Sequence, residues 1–194
     1  MLHLRLDWQR CPDGVELVDV EDGGGRYRSR TDRREDFVLM VENLENPVVV
    51  QFVNTPRPDG SRFFDRFGML IKEPTPAWSY ANAKDVVTAL FSINVPDELL
   101  RSKQINEDIE QTRLAPKLIL RDGKPRLFLE PVSLYAFMLM EIGLAAEVGA
   151  KATRCEQCNK AYLTGPMTGR RSHAVYCSDR CRVAAMRKRN ARAE

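Results

Sequence analysis

The 194-residue chain has few histidines, no long hydrophobic run and almost no net charge. Its two histidines, His3 and His173, leave little material for a histidine-based metal or acid–base site. The most apolar stretch, Val132–Ala150, is interrupted by Glu141 and Glu147, and it falls short of the about 20 apolar residues that a membrane span needs. We therefore expect a buried core helix at this position and no membrane association.

The N-terminus lacks the apolar core of a secretory signal, because Met1–Trp8 alternates apolar and polar residues. We therefore expect a cytoplasmic protein. In a reducing cytosol, clustered cysteines indicate metal ligands or catalytic groups more than disulfides. A hydrophobic content of 43% excludes a disordered chain and predicts one ordinary domain or one domain with a small appendage.

The net charge of +3 hides an uneven distribution along the chain. Residues 151–194 carry 11 basic and 3 acidic residues (+8), whereas residues 1–150 carry 19 basic and 24 acidic residues (−5). This asymmetry predicts an acidic body, residues 1–150, followed by a basic segment, residues 151–194. Such a basic segment is typical of proteins that contact nucleic acid or another polyanion.

Alternating and β-branched runs predict short strands at Leu2–Trp8, Val15–Val20, Phe37–Val41 and Val48–Val53. The first two are predicted to form a hairpin around the turn Pro12-Asp13-Gly14. The segment Glu21–Arg34 is rich in glycine and charged residues without apolar periodicity, and it is predicted to be a loop. A disordered, solvated loop is the favoured interpretation over a second phosphate contact.

Helical signals dominate the rest of the body, although Phe63–Lys72 is ambiguous. Ala83–Ile93 and Pro96–Gln111 are predicted helices, and Asp122-Gly123 is predicted to turn a hairpin between Leu118–Leu120 and Leu127–Leu129. A long apolar helix is predicted from Pro131 to about Ala150, at the centre of the core. The fold class is therefore α+β, with an N-terminal mixed or antiparallel sheet and helices, followed by a small C-terminal finger.

Four of the five cysteines form two close pairs in the basic segment. Cys155 and Cys158 are separated by two residues, Cys177 and Cys181 by three, and 18 residues lie between the pairs. Each pair can bring two thiolates to one ion, and two pairs complete a tetrahedron, so the spacing predicts a structural Zn²⁺ site. A reactive or disulfide-forming set is the alternative. A zinc ion coordinated by all four cysteines would have no open position for water, and we therefore expect no zinc catalysis.

The residues around these cysteines fit the same interpretation. Ser178 and Asp179 are suited to cap a helix that begins near Cys177, and His173 is the nearest rival ligand. Cys11 is expected to be a small buried apolar residue. The arrangement resembles a treble clef, with a knuckle at Cys155–Cys158, a hairpin around Thr164–Gly169 and a helix. Cations flank the ligands at Arg154, Lys160, Arg180 and Arg182, and the expected small core comprises Tyr162, Val175, Tyr176, Val183 and Met186.

The C-terminal end is predicted to be a basic helix that projects from the zinc site. Beyond Met186, cations lie on most of its faces, and this pattern favours phosphate contacts. A solvated tail and an acidic protein surface are the alternatives. The candidate nucleic-acid contacts are Arg180, Arg182, Arg187, Lys188, Arg189 and Arg192.

At these residues the chain resembles bacterial proteins with a C-terminal CGNR-type zinc finger, which follows an N-terminal α/β domain. The resemblance rests on Arg154-Cys155, Cys158, Arg170-Arg171, Tyr176-Cys177-Ser178, Cys181-Arg182 and the Arg/Lys-rich end. The Cys-Gly-Asn-Arg signature itself is replaced by Cys181-Arg182-Val183-Ala184, and in the body only Phe52-Val53-Asn54-Thr55 has family character. Because that group is regarded as stress-induced transcription regulators, the resemblance implies DNA binding.

No catalytic constellation is recognisable in the body, and we expect no enzymatic activity. Trp78 and Tyr80 are suited to line a small-molecule pocket, but aromatic packing against the core is the favoured interpretation. The leading hypothesis is a DNA-binding transcriptional regulator whose body dimerises or senses a ligand. The alternative is a zinc-stabilised protein-interaction adaptor without a nucleic-acid role.

Overall fold

A computed structural model of the chain describes residues 3–19, 25–56, 60–71, 75–92 and 113–191. The strands are β1 (His3–Arg10), β2 (Val15–Asp19), β3 (Gly25–Ser29), β4 (Glu35–Val41), β5 (Thr75–Pro76), β6 (Leu114–Arg121), β7 (Lys124–Pro131), β8 (Lys151–Arg154) and β9 (Ala161–Thr164). The helices are α1 (Val48–Val53), α2 (Ser61–Phe67), α3 (Ala77–Ser92), α4 (Leu134–Glu147) and α5 (Asp179–Asn190). The predicted helix Pro96–Gln111 lies outside the described residues.

The largest sheet is mixed and has the strand order β4-β1-β7-β6. β1 pairs antiparallel with β4 and parallel with β7, and β7 pairs antiparallel with β6. Leu4, Leu6 and Trp8 alternate along β1 and are buried on its inner face, as a half-buried strand requires. The expected α+β architecture with an N-terminal mixed sheet is confirmed.

The predicted hairpin of the first two strands is wrong. The turn exists, since the Gly14 N–H donates to the Cys11 carbonyl oxygen (3.0 Å), but β1 and β2 belong to different sheets. β2 pairs with β3, and β3 pairs with β5. The predicted loop at Glu21–Arg34 is therefore also wrong in part, because its residues Gly25–Ser29 form β3. In this strand Tyr27 is fully buried, whereas its neighbours Arg26 and Arg28 are not. A single apolar residue between two arginines therefore marks the buried face of β3.

The predicted strand Val48–Val53 is helix α1. Its β-branched residues favour a strand locally, but tertiary contacts at both helix ends override this preference. The buried carboxylate of Glu141 accepts hydrogen bonds from the Val48 and Val49 N–H groups (3.0 and 2.7 Å), and the Lys84 ammonium donates to the Phe52 carbonyl oxygen. The Glu141 carboxyl group thus accepts from the N–H groups at the N-terminus of α1, and the Lys84 cation lies at its C-terminus, where a positive charge matches the helix dipole.

The long apolar helix is confirmed as a core element, with bounds slightly inside those predicted. Pro131 ends β7, and α4 begins after Ser133, whose hydroxyl accepts a hydrogen bond from the Ala136 N–H (3.1 Å). Ten residues of α4 are buried, including Phe137 and Met138. In the part of the chain that the structure describes, none of the helices combines the length and apolar character needed to cross a membrane.

Two further predictions of local structure can be compared with the fold. The helix predicted from Ala83 is confirmed, although α3 already begins at Ala77, and its Val87 and Phe91 are buried as expected. The predicted β6–β7 hairpin is confirmed as well. Asp122 and Gly123 both have positive φ (51° and 72°), as a two-residue turn of this kind requires.

Candidate metal centre and basic helix

The first cysteine pair lies on a tight turn between two short strands. Cys155 directly follows β8, and its backbone N–H donates to the Lys160 carbonyl oxygen (2.9 Å), while the Asn159 N–H donates back to Cys155 (2.8 Å). Asn159 has a φ of 57°, a left-handed conformation that asparagine tolerates better than most residues. The turn therefore places the thiols of Cys155 and Cys158 on the same side.

The second pair lies at the N-terminus of α5. Ser178 is the N-cap, and its hydroxyl accepts a hydrogen bond from the Cys181 N–H (3.3 Å), which confirms the predicted cap. Cys177 precedes the cap, and Cys181 occupies the first turn of the helix. The Glu156 N–H donates to the Val175 carbonyl oxygen (3.1 Å), and this bond joins the two cysteine-bearing segments.

The four thiols converge on one point. Their sulfur atoms all lie within 4.8 Å of one another, and the separations Cys158 Sγ–Cys177 Sγ and Cys177 Sγ–Cys181 Sγ are each 3.6 Å. None of the four is in a disulfide. Cys155 is buried, Cys158 is exposed, and the other two are intermediate. Four free sulfurs at these distances could hold a metal ion, and this is the cluster that the cysteine spacing predicts.

The environment lowers the pKa of the Cys155 thiol and raises those of the Cys158 and Cys177 thiols. Burial opposes ionisation of Cys155, but backbone N–H groups of Cys177, Cys158 and Gln157 lower its pKa to about 6. Burial and the neighbouring thiols raise the pKa of Cys177 to about 12. Four thiolates at this distance repel one another, so a cation is needed to ionise all of them together.

Tyr162 and Arg170 contact the segment that carries the second cysteine pair. Tyr162 is buried and donates from its hydroxyl to the Ala174 carbonyl oxygen (2.6 Å), and burial raises the pKa of this phenol to about 12. The Arg170 guanidinium lies over the Tyr162 ring, 5.7 Å from its centroid. Its Nε donates to the Cys177 carbonyl oxygen (3.0 Å), and its Nη1 donates to the Glu45 carbonyl oxygen (3.2 Å). Arg170 therefore connects a ligand segment with the body.

β9 is the main contact between the cysteine-bearing region and the body. All four residues of β9 are buried, and its Ala161 and Leu163 belong to the same apolar core as the body. The Asn54 side chain pairs with the Ala161 backbone in both directions: its amide NH₂ donates to the carbonyl oxygen, and its oxygen accepts from the N–H (2.8 Å each). The Leu44 N–H donates to the Met167 carbonyl oxygen (2.8 Å).

Sequence reasoning missed that Asn54 and Arg170 join the cysteine-bearing region to the body. Both residues lie in segments that carry the resemblance to CGNR-type proteins. A buried backbone amide in a short strand needs a partner, and a side-chain amide can supply both a donor and an acceptor. That Asn54 faces Ala161, 107 residues away, depends on the packing of α1 against β9, which no local pattern shows.

The predicted nucleic-acid contacts lie on the surface of α5. Arg180, Arg182, Arg187, Lys188 and Arg189 are exposed, whereas Arg192 lies outside the described residues. Arg182 pairs with Asp179 (3.1 Å), and the described residues supply no ion-pair partner for the other four. α5 buries no residue at all. The structure therefore brings these cations to one helix, close to the cysteine cluster.

Other expectations around the site are only partly met. Of the expected small core, Tyr162 is buried, but Val175 and Met186 are 44% and 50% exposed, because no element of the described chain covers this side of α5. His173 is exposed and is not part of the cysteine cluster. Cys11 is buried, as predicted. Tyr80 packs edge-on against Tyr27, Phe52 and Phe64 in the core, whereas the side chain of Trp78 is not among those described.

Comparison of the chain with protein-family models, with curated proteins and with solved structures finds no match.

Proposed function

We propose that the four cysteines hold one structural Zn²⁺ ion in a treble-clef-like finger. Sulfurs placed tetrahedrally about 2.3 Å from zinc lie about 3.8 Å apart, close to the two 3.6 Å separations within the cluster. Soft thiolates favour zinc over magnesium or calcium. Four protein ligands leave no position for a reactive water, so the function proposed for this ion is structural and not catalytic.

We further propose that the protein binds nucleic acid through α5, and that it acts as a DNA-binding transcriptional regulator. The observation that carries this proposal is the exposure of α5, a helix with no buried residue and with cations that have no ion-pair partner among the described residues. Such a helix receives little stabilisation from packing against its own protein. Phosphates of a nucleic acid would neutralise its charge, and binding would release the counterions condensed on the nucleic acid. The resemblance of the basic segment to regulators of the CGNR type supports DNA as the nucleic acid.

A groove next to α5 adds cations to the exposed surface of the helix. It has a volume of about 590 Å³ and runs from the body to the N-terminus of α5, and its charged lining residues are Arg170, Arg171 and Arg182 together with Glu45 and Asp179. Arg182 pairs with Asp179, and the Arg170 guanidinium donates to the Glu45 carbonyl oxygen, so Arg171 is the cation that the groove offers to a phosphate.

Salt dependence of DNA affinity tests the proposal. Zinc-loaded protein is expected to lose affinity for a duplex steeply as salt rises, and R187Q/K188Q/R189Q is expected to reduce the slope by roughly 0.9 for each phosphate contact removed. R33Q/R62Q/K124Q is the matched control, because it removes three exposed cations from the body and reaches the same net charge. Absence of binding at low salt, or equal losses in both variants, would contradict the proposal.

A second candidate is a zinc-stabilised adaptor that binds another protein. The exposure of Val175 and Met186 beside the metal centre favours it, since apolar side chains at the centre of protein interfaces contribute much of their affinity. For an adaptor, V175S/M186S would abolish binding of a defined partner, and R187Q/K188Q/R189Q would leave that binding intact.

A further inference from the structure

One face of the β6–β7 hairpin is entirely apolar. Side chains alternate between the two faces of a strand, and the antiparallel register pairs Leu118 with Leu127 and Leu120 with Pro125. Continuing this alternation along both strands gives a face made only of leucine and proline. Its members are Leu114, Pro116, Leu118, Leu120, Pro125, Leu127, Leu129 and Pro131, and we call it the leucine face.

Only the inner half of the leucine face is covered by the rest of the described chain. Leu114 and Leu129 pack against the core, but Leu118, Leu120 and Leu127 are 70%, 76% and 60% exposed. These are the three most exposed large apolar side chains among the described residues. With the exposed Pro116 and Pro125 they form one apolar patch on the order of 300–600 Å², the size of the largest apolar patches on monomeric proteins.

The opposite face of the hairpin carries all of its charged side chains, and two of its cations pair with carboxylates of the chain. Lys117 pairs with Asp7 and Glu130 (2.8 and 2.9 Å), and Arg121 pairs with Glu42. The leucine face therefore offers no charge and no side-chain hydrogen-bonding group. An acidic protein surface or a nucleic acid would gain nothing from it, whereas an equally apolar and uncharged surface would fit.

We propose that the leucine face is the dimer interface, and that its occupant is the leucine face of a second copy of this chain. A self-complementary patch related by a two-fold axis closes after two copies. Two patches of this size would bury on the order of 600–1,200 Å², around the roughly 1,000 Å² at which specific interfaces begin, so the dimer is expected to be weak. A two-stranded hairpin that extends beyond the core is also marginally stable alone, and packing on a second hairpin would stabilise it.

The contact is made face to face and not edge to edge. β6 is the outer strand of its sheet, and no other described strand pairs with its outer edge, where Pro116 lacks the N–H group that strand pairing would use. The dimer is independent of nucleic-acid binding, because the leucine face and α5 share no residue.

Sedimentation of full-length, zinc-loaded protein from about 1 to about 200 µM, without nucleic acid, tests the dimer. The wild type is expected to dimerise in the micromolar range. L118K/L127K is expected to raise the dimer Kd about 100-fold, because each interface would bury unpaired ammonium groups. The substituted side chains are exposed, and circular dichroism at low concentration is expected to show an unchanged fold.

L17K/V38K is the matched control, because Leu17 and Val38 are also exposed apolar residues on strands (45% and 49%) but lie outside the leucine face. It is expected to dimerise like the wild type. L120K, at the outer end of the face, provides a second variant if L118K/L127K fails to fold. A wild type that stays monomeric at all concentrations would overturn the proposal. This result is expected if another partner or another segment of the chain covers the leucine face. Equal Kd values for L118K/L127K, L120K and the control would overturn it too.

Discussion

The body (residues 1–150) and the cysteine-bearing finger (residues 151–194) are each stabilised by a different kind of interaction. The body buries large side chains completely, among them Tyr27, Phe52 and Phe64, which form edge-to-face aromatic contacts. The finger buries apolar residues mainly on β9, where it touches the body, and α5 buries none. The hydrophobic effect therefore accounts for the body and for β9, while we expect α5 to depend on its cap and on the metal ion proposed to bind Cys177 and Cys181.

Polar contacts show the same difference. In the body, Glu141 and Lys84 are buried and position α1 from its two ends. In the finger, Arg170 spans from the Cys177 carbonyl oxygen to Glu45 at the surface. We expect the body to stay folded under conditions that unfold the finger. β9 is expected to mark the boundary between the folded and the unfolded region.

Metal removal is expected to have the largest effect. Chelation should abolish amide hydrogen-exchange protection in α5 and leave that of α4 intact, since metal binding supplies roughly 10–16 kcal/mol in small zinc-binding peptides. Hydrogen exchange measured by mass spectrometry on the full chain reports both helices at once.

Two variants sharpen this test. C158S should reproduce the effect of chelation, whereas C11S, at the buried cysteine outside the cluster, should keep the metal. Unchanged protection of α5 after chelation would show that the finger does not need its ion.

Substitution at the boundary is expected to have an intermediate effect. N54A removes two hydrogen bonds and leaves the Ala161 N–H and carbonyl group without partners, at an expected cost of about 2–3 kcal/mol. The exposed Asn190 provides the control N190A, which should change stability by less than about 0.5 kcal/mol. Urea unfolding measures both, and equal stabilities would mean that Asn54 does not hold β9.

The buried Glu141 predicts a pH dependence that belongs to the body. Burial raises its pKa to about 8 against the opposing hydrogen bonds from Val49 and Val48, compared with an ordinary 4.5. Between these values the folded protein keeps a proton that the unfolded chain has released. Its contribution to stability is therefore complete below pH 4.5 and is lost as the pH rises through 8.

Urea unfolding of the wild type and of E141Q between pH 5 and 8 checks this expectation. The difference in unfolding free energy should fall with pH by at most about 1.4 kcal/mol per unit. Taking the difference cancels the pH dependence of the metal centre. A flat difference would place the folded-state pKa of Glu141 near its ordinary value.

The smallest effect is expected at the exposed end of α5. K188Q removes one cation near the helix C-terminus and should change the unfolding free energy by less than about 0.5 kcal/mol. Thermal unfolding of zinc-loaded protein measures it. A larger loss would mean that Lys188 is engaged by the folded chain and is not available to a ligand.

The sequence predicted the cysteine cluster better than the body, for a physical reason. The four cysteines lie in two short segments, and the geometry of each pair is local: a tight turn at Cys155–Cys158 and a capped helix at Ser178. The β6–β7 hairpin was equally predictable, because Asp122-Gly123 specifies its turn.

Predictions failed where distant contacts decide the structure. Val48–Val53 has the composition of a strand, yet Glu141 and Lys84 bind the two ends of a helix there. β1 and β2 follow one another around a turn, yet each finds a better partner elsewhere in the chain. The contact of Asn54 with Ala161 is likewise invisible in any sequence window.

The burial of β9 limits how freely the finger can be moved between proteins. A peptide beginning at Lys151 would contain all four cysteines and α5, but it would expose Ala161 and Leu163 and lack the side chain of Asn54. Transplanting this finger onto another protein would require the host to provide an apolar cleft and an asparagine at the right place. Its inheritance is therefore tied to that of the body, and the two are expected to evolve as one unit.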